Sequence, residues 1–517
     1  MSADAYNSVM TVMAAEPNNP HARNLTISLI ERARTHPDTQ ALLLPGRTLN
    51  YQELDRLVWR FALRLHDQGL NAGDVLGLAF SSQLALVLTL LGAIRVGATS
   101  FSIPLKAAVV QQQDMVEQAQ VTMGATDQSE PFGTWLRAPV TRVDTTWNLA
   151  PLPADTLFLL ARNPEAPWPL MTGSGSTGEP KLIPLTHGQS QARAKDETSA
   201  LQLTSSDRIG SLSRFDFAAS KCRLHEAFLA GASISLQAWN PTDPIGHIQR
   251  QGLSVVYATV FHAEALLKRC VAGAGPALPS VRVMELTSST VSMELRQRIR
   301  HALTPNLHVL YGINEAGPVS IAYPSEAFAT PGTVGKPLPG LLVQVVDERE
   351  QPVQPGTIGL IRIRSPGLVL GYRGNPAATD RCFKDGWFTP GDLGRFMADG
   401  SLIYCGRADH MMIMNGINIY PAEIEQVLST HPDVHDVAAM PVRHPVHQDV
   451  PVCAVALYPG TGSSEADLLE WARGRLGPRG PRRVVIVESI PRNHDGKLVR
   501  AELRDRIERR LREPINR

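Results

Sequence analysis

Asp74-Val-Leu-Gly-Leu-Ala-Phe80 is a short aliphatic run that reads as a buried strand. Leu84 to Val96 follows with the apolar density of a packed helix, and Ala98-Thr-Ser-Phe-Ser-Ile103 reads as the next strand. Strand, helix and strand in close succession imply a parallel pair joined by a crossover helix, because parallel neighbours cannot be closed by a tight turn. Upstream, Tyr51 to Gln68 carries Leu54, Val58, Phe61, Leu63 and Leu65 and predicts an amphipathic helix. Downstream, the same alternation returns from Ile209 to Val309. The expected class is α/β, with doubly wound sheets.

The texture changes near Gly332. Val343-Gln-Val-Val-Asp347, Gly359-Leu-Ile-Arg-Ile-Arg364 and Ser401-Leu-Ile-Tyr-Cys405 are short strands split by the turns Pro355-Gly356, Pro366-Gly367 and Pro390-Gly391. That spacing predicts antiparallel β, a small barrel-like part. After Arg407 helices return at Pro421 to Ser429, Glu465 to Leu476 and Arg500 to Arg512, with Ala454-Val-Ala-Leu-Tyr458 and Val484-Val-Ile-Val487 as strands between them. A boundary near Asp409 divides the chain into a large N-terminal unit, residues 1–408, and a smaller α+β unit, residues 409–517.

Composition closes off several classes. With 517 residues the chain is too long for one ordinary core. Lys+Arg 50 against Asp+Glu 49 leaves a formal net charge of +1, so no broad field exists to hold nucleic acid or an anionic membrane. Hydrophobic residues at 43% and charged residues at 19% are globular values. The 5 cysteines (Cys222, Cys270, Cys382, Cys405 and Cys453) lie far apart, which fits a reducing compartment and gives no Cys-based zinc site. The N-terminus has neither a basic start nor a long apolar run, and the apolar stretch Leu84 to Ile94 stops at Arg95, far short of a membrane span. The expectation is a cytoplasmic protein without membrane insertion.

The loudest local signal is Met171-Thr-Gly-Ser-Gly-Ser-Thr-Gly-Glu-Pro-Lys181. Glycines and hydroxyl residues in a short loop expose backbone N–H and side-chain O–H donors able to wrap polyphosphate oxygens, with Lys181 adding a point charge. A Walker loop needs lysine directly after its last glycine; here Glu179-Pro180 follows Gly178, so that reading fails. Further chemistry-bearing stretches follow in order: Tyr311-Gly-Ile-Asn-Glu315, Thr389-Pro-Gly-Asp392, Gly406-Arg-Ala-Asp409 running on to Asn415-Gly-Ile-Asn-Ile-Tyr-Pro-Ala-Glu-Ile-Glu425, and Pro491-Arg-Asn-His-Asp-Gly-Lys497.

Together these resemble the motifs of the adenylate-forming superfamily, which contains acyl-CoA synthetases, peptide-synthetase adenylation domains and luciferases. The loop is similar to its Ser-Gly-Thr-Thr-Gly-x-Pro-Lys, and the later stretches to its Tyr-Gly-x-Thr-Glu, Thr-Gly-Asp, hinge and catalytic-lysine motifs, in the style of acyl- or aryl-CoA ligases. The resemblance implies that ATP and a carboxylic acid give an acyl-adenylate and pyrophosphate, and that a thiol then gives a thioester and AMP. The thiol is that of CoA or of a carrier protein's phosphopantetheine. It further implies that Ser174, Gly175, Ser176, Thr177, Gly178 and Lys181 hold the phosphates, with Glu315 and Thr177 holding Mg²⁺, a hard cation suited to carboxylate and phosphate oxygens. Tyr311 would stack on adenine, Asp392 would accept from the ribose hydroxyls, and Arg407 would lie near ribose and phosphate. Lys497 would bridge substrate carboxylate and α-phosphate as their charges merge. Asn314 stands where threonine is usual, and its amide can still donate to a phosphate oxygen. Pro390 is an extra residue within the Thr-Gly-Asp element.

The same resemblance places a hinge at Asp409, about which the small unit swings between half-reactions. Asn415 and Gly416 stand where CoA ligases show two glycines; Gly416 leaves room for the narrow pantetheine arm while Asn415 adds bulk. Thr287, Ser288 and Ser289 replace a Gly-Gly-Ala stretch beside the acid channel, which favours a compact or polar acid; Gly312 and Ile313 complete that wall. In Arg214-Phe-Asp-Phe217, Asp216 is positioned to meet a substrate ammonium, as in amino-acid-activating relatives, or else pairs with Arg214 or Lys221. Two rivals remain at this level: an adenylating enzyme that loads a carrier protein without free CoA, and a nucleotide binder without turnover. Retention of Glu315 and Lys497 opposes the binder. The expected partners are a small carboxylic acid and the thiol acceptor, with the chain a monomer or homodimer.

Overall fold

The computed structural model describes residues 24–512 apart from 106–107, 130–131, 133–135, 145–146, 148–162, 164, 174–180, 272, 274, 415–416, 445–447 and 493–497. The opening stretch behaves as its residues dictate. Strand Val75–Ala79 is buried along its whole length, and helix Gln83–Val96 follows, capped by the Ser82 side chain and ended by Gly97 in the left-handed region. Thr99–Ser102 then pairs parallel with Val75–Ala79. Helix Tyr51–Asp67 begins at a capping box in which Asn50 and Glu53 satisfy each other's backbone N–H.

These strands belong to a six-stranded sheet in the order Val140–Arg142, Met123–Thr126, Val75–Ala79, Thr99–Ser102, Pro167–Gly173, Lys181–Thr186, parallel except for the last pair. A nine-stranded sheet runs Lys336–Pro337, Gly317–Ala322, Leu307–Ile313, Val283–Thr287, Val255–Thr259, Arg208–Ser211, Ser233–Ser235, Gln40–Leu44, Arg47–Asn50. Its interior pairs are parallel and only its edges are antiparallel. Helices Leu25–Thr35, Tyr51–Asp67 and Gln83–Val96 share one apolar core with strands of both sheets. A second core covers the other face of the large sheet, where helices Val260–Leu267 and Met293–Ala302 pack. Each fully buried aliphatic side chain in such a layer contributes about 1.5–3 kcal/mol.

The expected barrel-like part is a six-stranded antiparallel sheet built from Leu342–Val346, Gly359–Arg364, Phe383–Lys384, Trp387–Phe388, Asp392–Phe396 and Leu402–Arg407. After the one-turn helix Ala408–His410 the chain forms a five-stranded sheet around the long hairpin Val434–His444 and Gln448–Leu457, with Arg483–Ile486 parallel to the second arm. Helices Pro421–Leu428 and Glu465–Leu476 pack on one apolar cluster, and Leu503 and Ile507 of helix Arg500–Arg512 on another. This unit touches the large one where the Tyr458 hydroxyl donates to Glu294, itself beside Arg298 at 3.7 Å. No described helix is long and apolar enough to cross a membrane.

Candidate active site

Parallel strands deliver their loops to one edge, and five of the predicted site residues, Tyr311, Glu315, Asp392, Arg407 and Lys181, gather near the C-terminal end of strand Leu307–Ile313. The antiparallel register sets Asp392 directly across from Arg407. Arg407 Nη1 donates to Asp392 Oδ1 at 3.3 Å and to the Pro390 carbonyl at 2.7 Å. The inserted Pro390 therefore supplies an acceptor that fixes the guanidinium, and Asp392 stays in contact with Arg407. Tyr311 reaches in from the neighbouring sheet, its hydroxyl donating to Asp392 Oδ2 at 2.6 Å. Its ring centroid lies 5.7 Å from that of Tyr404. Burial raises the Asp392 carboxyl above its ordinary range even though Tyr311 and Arg407 both favour its ionised form. Arg407 also donates to both oxygens of Asp409, Nε and Nη2 each at 3.2 Å. Asp409 and Asp392 are thus tied together by the same guanidinium.

Glu315 lies just past that strand and is 9% exposed. Its Oε1 accepts from the Tyr372 hydroxyl at 2.7 Å, and Lys181 Nζ sits 4.6 Å above the centre of the Tyr372 ring. One phenol therefore holds a carboxylate at its tip and an ammonium on its face. Gly173 and Lys181 are the last cross-strand pair before the Gly/Ser loop, so these strands anchor both ends of the loop beside Glu315. A side chain added at Gly173 would stand 3.9 Å from Glu315 Oε1, which shows how closely the loop root approaches the carboxylate. Asn314 donates through Nδ2 to the Thr172 carbonyl at 3.3 Å, bracing the same root. One carboxylate at the mouth of a phosphate-type loop fits Mg²⁺, which keeps most of its ligands as phosphate oxygens and water. Among the described residues no set of three His, Cys, Asp or Glu side chains could hold a metal alone.

Thr287 ends strand Val283–Thr287, and Ser288 holds φ +77°, the left-handed conformation that glycine adopts without strain. Thr287 and Ser289 are half-buried and Ser288 is exposed. Gly312 and Ile313, also half-buried, border Glu315. Asp216 lies beside both cations that its second reading names. Its Oδ2 accepts from Arg214 Nε at 3.1 Å, and the Lys221 ammonium faces it. The ion pair with Arg214 and the nearby Lys221 favour the pairing alternative, while Oδ1 is buried and accepts no hydrogen bond from any described donor. Lys221 itself is 3% exposed, and burial lowers it to about 8.

Behind Thr287, on the same face of the strand, lies Glu285, fully buried. Tyr257 is its cross-strand partner, and helices His187–Ala200 and Ala218–Ala230 bring Glu197, Arg223 and Glu226 against them. Arg223 pairs with Glu197, with Glu226 Oε2 at 2.8 Å and with Glu285 at 3.7 Å, and stacks 3.9 Å over the Tyr257 ring. Sequence inspection did not find this cluster, nor Tyr372, because neither carries a local pattern: partners such as Tyr372 and Glu315 are 57 residues apart. Ser174, Gly175, Ser176, Thr177, Gly178, Asn415, Gly416 and Lys497 lie outside the described residues.

Fold and site together define an adenylate-forming ligase: sheets that bring the aromatic–carboxylate–arginine group Tyr311, Asp392 and Arg407 beside Glu315 and Lys181. Residues 29–373 match the AMP-binding enzyme family and residues 423–497 the AMP-binding enzyme C-terminal domain, so the chain belongs to the AMP-binding enzymes. Among curated relatives it is 28% identical to oxalate–CoA ligase of Arabidopsis thaliana, over 90% of this chain and 95% of that one. It is also 28% identical to feruloyl-CoA synthase of Amycolatopsis sp, over 92% and 98%. Among solved structures, o-succinylbenzoate coenzyme A synthetase of Bacillus subtilis in complex with AMP superposes with TM-score 0.80 at 22% identity, covering 92% of this chain and 98% of that chain. The anthranilate CoA ligase in complex with anthranoyl-AMP superposes with TM-score 0.83 at 22% identity, covering 95% and 98%.

Proposed function

We propose that this AMP-binding enzyme activates a compact carboxylic acid with ATP and passes the acyl group to the thiol of CoA. The observation that carries the reading is the convergence, at the end of one strand, of Tyr311–Asp392–Arg407 with Glu315–Tyr372–Lys181. The first group suits a ribose: Asp392 is an acceptor held in place by a phenol and a guanidinium, with lone pairs left for hydroxyl donors. The second suits the phosphates, where Lys181 and the loop Ser174–Gly178 would meet the negative charge. Mg²⁺, when bound, neutralises phosphate oxygens as charge builds on them; Glu315 and Thr177 are the residues that would hold it. Attack of the acid's carboxylate on the α-phosphorus expels pyrophosphate, and Lys497 would stabilise the two merging anions.

The division into residues 1–408 and 409–517, with Asp409 as the hinge, is part of this proposal. It is supported by the tie from Arg407 to Asp409 and by the separate apolar clusters of the small unit. Rotation there would withdraw Lys497 and bring Asn415 and Gly416 to the thiol's path. The half-buried Thr287 and Ser289 favour an acid that is short, aromatic or polar over a long fatty chain. The names of relatives that act on oxalate, ferulate and 2-succinylbenzoate point the same way. A cytoplasmic location fits the described cysteines, all of which are free.

The test is acid-dependent exchange of labelled pyrophosphate into ATP over a panel of aryl, short-chain, fatty and amino acids, then CoA addition with the best acid. Exchange with a compact acid, its loss in Lys497→Ala, and release of AMP and thioester on adding CoA are expected. Exchange without thioester would instead assign a carrier-protein acceptor. Absence of exchange with every acid would reject the ligase reading.

A further inference from the structure

Arg193 is a buried cation that nucleotide, acid and fold do not account for. It projects from helix His187–Ala200, is 6% exposed, and forms no ion pair within 4 Å among the described residues. Its guanidinium is spent on three backbone carbonyls. Nε donates to Gly367 O at 2.7 Å, Nη1 to Asn314 O at 2.9 Å and Nη2 to Glu315 O at 2.7 Å. Two of these acceptors belong to consecutive residues of the Tyr311–Glu315 motif. The third belongs to the loop that leads to Tyr372, the residue gripping the Glu315 side chain. Val369 N in that loop also donates to Glu315 O, at 2.9 Å.

The surroundings are shaped for this side chain. A Cβ added at Gly317, φ +75°, would stand 2.6 Å from Arg193 Cδ, and one added at Gly367 would stand 2.7 Å from its Cγ. Contacts that short do not occur, so both positions exclude any side chain while Arg193 keeps its place. Taking a guanidinium out of water is costly unless its donors are satisfied, and an aliphatic residue would fill the same space without that cost. Burial lowers Arg193 only to about 10, so it carries its charge at neutral pH. What arginine alone provides here is a rigid planar fork that fixes three carbonyls relative to one another.

We infer that Arg193 is a positioning residue for the magnesium site: it fastens the Asn314–Glu315 turn to the 365–369 loop, so that the Glu315 carboxylate and its Tyr372 clamp keep one geometry. It does not touch substrate or metal. The inference rests on the proposed role of Glu315, and the two can fail separately. A misplacement of about 1 Å at a reacting centre can cost on the order of a hundredfold in rate, which sets the scale.

The experiment compares the parent with Arg193→Met, Arg193→Lys and Gly367→Ala. The last, at a position with an ordinary φ, displaces the arginine without removing its charge. Two quantities are read below the unfolding transition: pyrophosphate exchange against acid, ATP and Mg²⁺ concentration, and the rise in Tm from Mg·ATP beyond that from ATP with EDTA. In Arg193→Met we expect kcat for exchange to fall at least tenfold, KM for the acid to stay within about twofold, the Mg²⁺ requirement to rise, and the Mg²⁺-specific part of the Tm rise to shrink by more than half. Arg193→Lys should recover part of each loss, and Gly367→Ala should share their direction. A folded Arg193→Met with parental kcat, Mg²⁺ dependence and Mg²⁺-specific Tm rise would overturn the inference, as would uniform loss of Tm with no kinetic split. Should Arg193→Met not fold, the Gly367→Ala variant decides by the same criteria. If Glu315→Gln leaves Mg²⁺ dependence intact, it is the assignment of Glu315 that falls.

Discussion

Two sites in this protein bury glutamates close to the same sheet, and their neighbours give them opposite characters. At the mouth, Glu315 has one oxygen held by the Tyr372 hydroxyl and its backbone held by Arg193, beside a loop root that carries Lys181. Deeper, Glu197, Glu226 and Glu285 crowd around Arg223, three carboxylates to one cation. Neither oxygen of Glu285 receives a hydrogen bond from any described donor. Burial, reinforced by Glu197, pushes Glu226 up to about 8, and burial with the same neighbours raises Glu285 as well. In the deep cluster, burial and mutual repulsion favour the protonated forms of Glu226 and Glu285. The mouth site presents a single carboxylate with internal support on one side, the arrangement that the proposed Mg²⁺ role of Glu315 needs. Burial alone does not make an acid functional; the count of compensating groups and the direction left open decide it.

The comparison breaks first at Arg223. Arg223→Met leaves three buried carboxylates without their cation and should cost about 3–5 kcal/mol of stability by denaturant unfolding, the penalty for orphaning a buried charge. A loss below about 1 kcal/mol would mean that the glutamates are neutral without it. At the mouth the larger effect should be on rate. Glu315→Gln is nearly isosteric, so pyrophosphate exchange should fall on the order of 10²–10³-fold while Tm moves by only a few degrees. Tyr372→Phe keeps the ring under Lys181 and removes one hydrogen bond to Glu315. It should cost about 1–2 kcal/mol, read as roughly a tenfold loss in kcat/KM for Mg·ATP.

The smallest effect separates the two sites by pH. Glu226 holds its proton in the folded protein up to about 8, whereas the unfolded chain releases it near the ordinary value of about 4.3. Folding is therefore favoured by low pH: its contribution is fully present below the unfolded value and is lost as pH rises toward 8. Glu226→Gln removes this titration, so the gap in Tm between variant and parent should widen in the variant's favour from pH 5 to pH 8. A gap independent of pH would show that the cluster does not hold protons. Taking the difference also cancels His187 and His225, which burial lowers to about 3 and about 4 and which act in the opposite sense in both proteins.

Sequence reading succeeded where chemistry is local. The strand Val75–Ala79, the helix Gln83–Val96 and helices Glu465–Leu476 and Arg500–Arg512 fall on their predicted residues, because apolar period and capping are written within a few positions. Tyr311, Glu315, Asp392 and Arg407 were equally visible, each within a short motif. The motif around Asp216 allows two readings, a substrate ammonium or a pairing with Arg214 or Lys221, and in the folded chain Arg214 donates to it with Lys221 nearby. That outcome depends on where side chains point, which spacing does not specify.

The linear order of residues determined the α/β class, the antiparallel segment, the α+β character of the final stretch and the motifs of the candidate site, since each follows from patterns shorter than a helix or a hairpin. Only the folded chain decided their company: that a phenol at 372 clamps a carboxylate at 315, that an arginine at 193 pins the turn between them, and that the surplus acids around Arg223 are sealed below. Those pairings join positions far apart along the backbone, and their energies depend on distance and exclusion of water, quantities that exist only once the sheets have closed.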